Sequence, residues 1–193
     1  MGRGFVRVTV RLQRDGVLLR PFRDAELEAL VEIQRGWSED DGVHGGGRPT
    51  REQLAARIAS SGTWVEGPVG LLLAIESGGR LVGEVQARGN RSQLLPTGVF
   101  ELGIEVYGPD DRGKGIGRAA LAEMTRYLFD EEHANRVQLS TDVDNRAMRR
   151  AAEAAGFRFE GVMRGFWPAS DDATRDFALY GETRTDHAGR GDG

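Results

Sequence analysis

The chain contains no cysteine, which removes disulfides, thiolate nucleophiles and cysteine-built zinc sites in one step. Lysine is almost as scarce: of 26 basic residues only Lys114 is lysine and the rest are arginine, a bias read first as base composition acting on codon choice. The three histidines, His44, His133 and His187, stand far apart, so no metal site is expected. No apolar run, the arginine-studded first dozen residues included, is long enough for a signal-peptide core or a membrane helix, and a cytoplasmic chain with no membrane partner is expected. A basic excess is missing too. With a formal net charge of -4 and scattered arginines, a nucleic-acid partner has no electrostatic support.

What is present describes a globular chain. Its 193 residues, 39% hydrophobic and 29% charged, suit one domain with its own core. Val6, Val8, Val10 and Leu12 alternate with Arg7, Thr9 and Arg11, the period of a strand with one wet face. A second strand starts at Val17 and stops at Pro21; Asp24 then caps a helix carrying Leu27, Leu30, Val31 and Ile33 that ends near Gly36. The glycine-rich stretch from Ser38 to Pro49 reads as a loop, and Thr50 with Gln53 opens a further helix by the capping-box pattern.

Two β-rich runs, Val69 to Glu76 and Arg80 to Arg88, flank Ser77-Gly78-Gly79 and predict a hairpin, with a loop from Gly89 to Gly98 after it. Val99 to Tyr107 predicts a strand, Gly115 to Glu132 a helix with Leu121, Met124 and Leu128 inward, and Arg136 to Thr141 the next strand. A helix from Asn145 to Ala155 is stopped by Gly156, and strands follow near Phe157 to Met163 and Arg175 to Glu182. His133 lies near a helix C-terminus, where the dipole suits it. The expected fold is a mixed α/β (α+β) sheet of six to seven strands flanked by about four helices. Residues 1–15 are an N-terminal strand or extension, 16–184 the domain and 185–193 a disordered tail.

The chemistry concentrates in Arg112-Gly113-Lys114-Gly115-Ile116-Gly117, placed between a predicted strand and a predicted helix. Residues without Cβ let a ligand approach the backbone, and the first amides of a helix lack intrahelical acceptors. The helix dipole adds about 0.3–1 kcal/mol for an anion there, so a diphosphate answers both demands. A Walker loop is excluded because no Lys-Ser or Lys-Thr pair occurs, and the glycine spacing does not fit a dinucleotide fingerprint. Taken alone, the run is equally served by a tight strand-to-helix turn.

Arg112-x-x-Gly115-x-Gly117 after Glu101-Leu102-Gly103-Ile104-Glu105-Val106 resembles motif A of the GNAT superfamily of N-acetyltransferases. The segment Asn145 to Phe157 resembles the motif B helix of the same superfamily. Glu160 to Trp167 and Asp176 to Tyr180 are similar to the branch that contains the ribosomal-protein N-terminal acetyltransferases. The resemblance covers about Val17 to Thr183 and implies a GNAT-like fold that transfers acetyl from acetyl-coenzyme A to an amine.

Residue by residue, it implies that the backbone of Arg112, Gly113, Lys114, Gly115, Ile116, Gly117 and Arg118 holds the pyrophosphate. The main chain of Ile104, Glu105 and Val106 would pair with the pantetheine arm as with a strand. Asn145 would bond the pantetheine, and Arg149 or Arg150 would meet the adenosine phosphate.

Acetyl transfer needs a neutral amine, an oriented thioester and a proton acceptor. Glu101, with ten residues between it and Arg112, is the candidate base by that resemblance, its alternative being a strand-end carboxylate paired with arginine. Neutralising an α-amine at pH 7 costs about 1.4 kcal/mol against about 4.6 for lysine, so an α-amine acceptor asks less of the base. The superfamily's usual acid positions hold Met148 and Ala152, which leaves water or Tyr180 to meet the departing thiolate. Trp37, His44, Glu84 and Trp167 are the acceptor-binding candidates, each also explicable as packing, loop or surface. The acceptor is a protein N-terminus or a small amine. Sheet edges at the C-terminal strands would admit a homodimer. The competing function is a coenzyme-A-binding regulatory module without strong catalysis.

Overall fold

A computed structural model describes residues 9–36, 49–65, 70–89, 95–169 and 173–190. In chain order its elements are β1 (Leu12–Arg14), β2 (Val17–Arg20), α1 (Leu27–Arg35), α2 (Arg51–Ser60), β3 (Leu71–Ser77), β4 (Arg80–Gly89) and β5 (Val99–Val106). They continue with α3 (Ile116–Asp130), β6 (Arg136–Asp142), α4 (Arg146–Ala155), β7 (Arg158–Pro168), β8 (Thr174–Thr183) and α5 (Arg184–Ala188). The strands make one sheet in the order β1-β2-β3-β4-β5-β6-β8-β7, antiparallel except where β5 meets β6.

The core explains the layers. Leu71, Leu73 and Ile75 of β3 join Val85, Phe100, Leu102, Val137, Leu139, Ala178 and Tyr180 on one face, where α3 buries Leu121, Met124 and Leu128 completely. Leu72 and Ala74 point the other way and meet Leu30 of α1 with Leu54 and Ile58 of α2. β3 is therefore apolar at every position from Leu71 to Ile75, as a strand covered on both faces must be.

Several boundaries follow from local chemistry. Gly78 and Gly79 at φ 56° and 77° close the two-residue turn between Ser77 and Arg80, a turn that L side chains with a Cβ resist. Thr50 accepts from the Gln53 N–H while the Gln53 side chain accepts from the Thr50 N–H, the expected box. Asn145 caps α4 by accepting from the Met148 N–H at 3.1 Å, and Gly156 ends it in the left-handed conformation at φ 105°.

Several expectations need correction. The sheet has eight strands rather than six or seven, because Asp15 and Gly16 at φ 49° and 77° fold Leu12–Arg14 back on Val17–Leu19 as a hairpin. Of the strand expected over Val6 to Leu12, residues 6–8 lie outside the described residues and residues 9–11 are not in a strand, so the strand seen begins where the expected one ends. Asp24 does not cap α1 but opens a 3-10 turn, Asp24–Glu26. There Glu26 accepts from the Arg23 N–H at 2.8 Å and pairs with buried Arg20, which also holds Glu76 of β3 at 2.7 Å.

The segment after Thr183 is a short helix, α5, and not a disordered tail over its described part. Thr183 and Asp186 cap one another across its first turn. Arg190 then donates to the Ala155 carbonyl at 2.9 Å and pairs with buried Glu182, tying this end to the foot of α4. β7 also runs on to Pro168, beyond the expected stop at Met163.

The β4–β5 ladder that carries the site is unusually close at one point. A Cβ on Gly83 would lie 2.2 Å from the Glu105 carbonyl oxygen, so Gly83→Ala is expected to push β5 away and lower stability by about 1–3 kcal/mol. Urea denaturation checks this; an unchanged midpoint would refute it.

Candidate functional site

β5 and β6 begin side by side and then part. Only Val99↔Arg136, Phe100↔Val137 and Glu101↔Gln138 are paired, although β5 continues to Val106 and β6 to Asp142. β4 stays with β5 to the Gly83↔Val106 pair, and β8 stays with β6 to the Asp142↔Phe177 pair. A wedge opens between them, with the main chain of Leu102 to Val106 as one wall, about 13 Å long at the rise of a strand. Backbone donors and acceptors along such a wall need a partner. Ile104, Glu105 and Val106 lie on it.

The open end of the wedge leads to the glycine run. After the 3-10 turn Pro109–Asp111, Gly113 and Gly115 take φ 76° and 81°, and Gly115 is the N-cap of α3. No side chain caps this helix and its first turn carries no acidic residue, so its free amides and dipole face outward unneutralised. A Cβ placed on Gly113, Gly115 or Gly117 would meet nothing within 4 Å. The space these glycines leave is an open cradle, not a tight fit against the fold.

A cavity of about 300 Å³ adjoins it, lined by Arg80, Asp111, Lys114, Gly115, Ile116 and Arg118 among others. Arg112, exposed, donates to the Val106 carbonyl at 3.4 Å. Arg118 reaches Asp15 at 3.4 Å and Arg80 reaches Asp111 at 2.9 Å. The cradle has the donors, the dipole and the room that a diphosphate requires, and the wedge has a strand-like wall for an extended amide-bearing arm.

α4 lies on the α3 side of the wedge. Asn145 spends its side-chain oxygen on the cap described above. Arg149 faces inward: its Nε donates to the Tyr180 hydroxyl at 3.1 Å and its Nη1 to the Val143 carbonyl at 3.0 Å, with the guanidinium 5.9 Å from the Phe159 ring centre. The Tyr180 hydroxyl in turn donates to Glu153 at 3.1 Å. Tyr180 is wholly buried, so this candidate acid sits in a closed Arg149–Tyr180–Glu153 network. Arg150, by contrast, is exposed. Ala152 is buried and Met148 packs on the same core.

The other face of the sheet holds the carboxylates. Ala74↔Glu84↔Glu105 and Arg88↔Glu101 are opposed pairs, which puts Glu84, Glu101 and Glu105 on the face of α1 and α2. Glu101 pairs with Arg88 at 2.9 Å and keeps its side chain 30% exposed. Glu84 is buried and both its oxygens are taken, by Arg57 at 2.7 Å and by the Tyr107 hydroxyl at 2.8 Å. Burial, helped by Glu84 and Glu105, raises the Tyr107 phenol well above its usual value, so it remains a proton donor to Glu84. Glu84 thus ties α2 to the β4–β5 ladder.

Trp167 stacks on Phe177 with ring centres 5.8 Å apart. Trp37 and His44 lie outside the described residues. Sequence reasoning missed Arg57, Arg88 and Tyr107 as partners; only the hairpin register that sets Arg88 opposite Glu101 offered a signal. Among the described residues no group of three metal-ligating side chains converges, and no helix is long and apolar enough to cross a membrane.

The family model described as an acetyltransferase (GNAT) domain matches residues 17–158. The chain belongs to the GNAT acetyltransferase family. Mycothiol acetyltransferase of Propionibacterium freudenreichii subsp. shermanii is 29% identical over 163 residues, covering 84% of this chain and 49% of that protein. The chain therefore spans about half the length of this curated relative, and less of another from Arthrobacter, 34% identical over 100 residues that make up 51% of this chain and 29% of that protein.

Among solved structures, RimJ of Mycobacterium smegmatis in complex with CoA-disulfide superposes with a TM-score of 0.69 at 21% identity, covering 99% of this chain and 98% of that one. An acetyltransferase (GNAT family) from Bacillus anthracis gives 0.72 at 20% identity, covering 91% and 99%. These two establish the fold.

The GNAT domain's own packing makes one expectation about Tyr180. Tyr180→Phe leaves half-buried Arg149 and exposed Glu153 without their shared partner, where water can replace it, and is expected to cost about 0.5–1.5 kcal/mol, read from a urea titration. A wild-type midpoint would show that the network carries no stability.

Proposed function

We propose that the chain transfers an acetyl group from acetyl-coenzyme A to a primary amine. The observation that carries this is the wedge between β5 and β6 leading straight to an uncapped, glycine-lined helix start. The amides of Gly113 to Arg118 receive the pyrophosphate, and the main chain of Ile104 to Val106 pairs with the pantetheine arm. That arm directs the thioester toward the apex of the wedge, at the level of Glu101 and Gln138. Asn145 and α4 close the opposite side; Arg149, turned inward, holds α4 to β8, while exposed Arg150 is the arginine free to meet the adenosine phosphate.

Glu101 takes the proton from the amine, directly or through water, and Arg88, 2.9 Å away, orients the carboxylate. Tyr180 acts as a positioning residue through Arg149 and Glu153. The departing thiolate needs little help: at a thiol pKa near 8.5 its release at pH 7 costs about 2 kcal/mol. Trp167 lies on the acceptor side, and Glu84 serves it by fixing α2. The domain spans residues 16–184 and works in the cytoplasm, in keeping with a chain free of cysteine. The outer strand β7 offers an edge on which two copies would pair as a homodimer.

A second reading, a coenzyme-binding regulatory module, is favoured by the apolar residues Met148 and Ala152 at the usual acid positions. Turnover separates the two. Thiol release from acetyl-coenzyme A, followed with α-amino peptides and with their lysine-only analogues, is expected to favour the α-amine, and Glu101→Gln to slow lysine acetylation by a larger factor than α-amine acetylation. Coenzyme binding with no turnover on any amine would leave the module as the function.

A further inference from the structure

The apolar cluster beneath α1 and α2 takes its sheet residues from Leu72, Ala74, Leu81 and Tyr107, on β3, β4 and the end of β5. The same face of β6 and β8 lies beyond that cluster and is only half-buried at Gln138, Ser140, Asp142 and Phe177. At its far end three aromatic rings meet. Phe166 lies 5.4 Å from Phe177 and 6.3 Å from Trp167, and Trp167 stacks on Phe177. Phe166 is 48% exposed. Large aromatics gathered on a surface in this way mark a binding site more often than single exposed residues do.

Position names the occupant. Phe177 is paired with Asp142, the last residue of β6 and so a lip of the wedge. The aromatic platform is continuous with the acceptor side of the opening. It is also flanked by acid: Asp142 lies 3.8 Å from Arg175, and Asp176 accepts from the Gly165 N–H at 2.8 Å. That N–H holds the β7 backbone at Gly165, φ 61°, where the irregular stretch from Met163 to Trp167 turns the two aromatics onto this face. With these carboxylates already engaged, what the surface offers a ligand is its aromatic rings, which suit an apolar side chain carried by the acceptor. From Gln138, level with Glu101, to Asp142, level with Phe177, the strand rises about 13 Å. Side chains from either end shorten this to the length of one or two residues of a peptide.

Building on the proposed acetyl transfer, we infer that Phe166, Trp167 and Phe177 form a platform for an apolar side chain of the acceptor. The preferred acceptor is then an α-amine whose neighbouring residue is aromatic or bulky and aliphatic, not a uniformly polar amine. Trp167 and Phe166 set this specificity.

The test uses acetyl-coenzyme A and two tripeptide amides that differ only at the second residue, phenylalanine or serine. Wild-type protein is expected to favour the phenylalanine peptide roughly tenfold in kcat/KM, the scale of burying one large apolar side chain. Trp167→Ala should bring that ratio close to one, and Trp167→Phe should restore most of it; thermal denaturation confirms that each variant is folded.

A ratio unchanged in Trp167→Ala, or a wild-type preference for serine, overturns the platform while leaving acetyl transfer standing. So does a wild-type dimer that Trp167→Ala converts to monomer with the ratio intact, since a second copy would then be the occupant. Absence of turnover with every amine overturns the acetyl-transfer reading and the platform with it.

Discussion

Two strands that pair for three residues and then separate leave backbone groups that something else must satisfy. In this chain the separation of β5 from β6 is held open from both sides, by the β4 ladder on one and the β8 ladder on the other. Neither strand can swing back without giving up a longer row of hydrogen bonds. The wedge is thus built into the sheet, and under the proposed function the coenzyme would supply the missing stretch of strand. The glycine run extends the same logic round the corner, where the amides of α3 have neither a side-chain cap nor an acidic residue in their own first turn.

The two faces of the sheet divide the work around that wedge. On the α3 and α4 face the interior is apolar, with Ala152 and Met148 against the core and one closed polar network through Tyr180. On the other face the carboxylates gather, Glu101 with its arginine partner and Glu84 saturated by Arg57 and Tyr107. Under the proposed function this asymmetry would put coenzyme support on one side and proton handling on the other. It also makes Glu84 and Tyr180, both attractive as reactive groups in isolation, into struts that hold helices to strands.

Much of this was legible in the sequence, for identifiable reasons. Asn145 and Gly156 bracket α4, Thr50 and Gln53 open α2, and Gly78-Gly79 turn the β3–β4 hairpin, because caps and turns are local chemistry. The capping pair Thr183 and Asp186 was equally local, yet the polar composition of the last residues hid α5. The wedge itself was not legible from pattern alone: alternation says that Val99 to Tyr107 is a strand, not how far its neighbour follows it. The Arg149–Tyr180 contact spans 31 positions, and the Trp167–Phe177 stack depends on an irregular hairpin register; periodicity reports neither. What the motif resemblance supplied was the join between local signals and a site.

Amide hydrogen exchange with and without coenzyme A tests the central claim most directly. The account expects slowed exchange in two separate segments, Leu102 to Val106 and Gly113 to Arg118, with the outer strands β1 and β7 unaffected. Binding that protected neither segment, or protected the glycine run while the β5 wall exchanged freely, would contradict it.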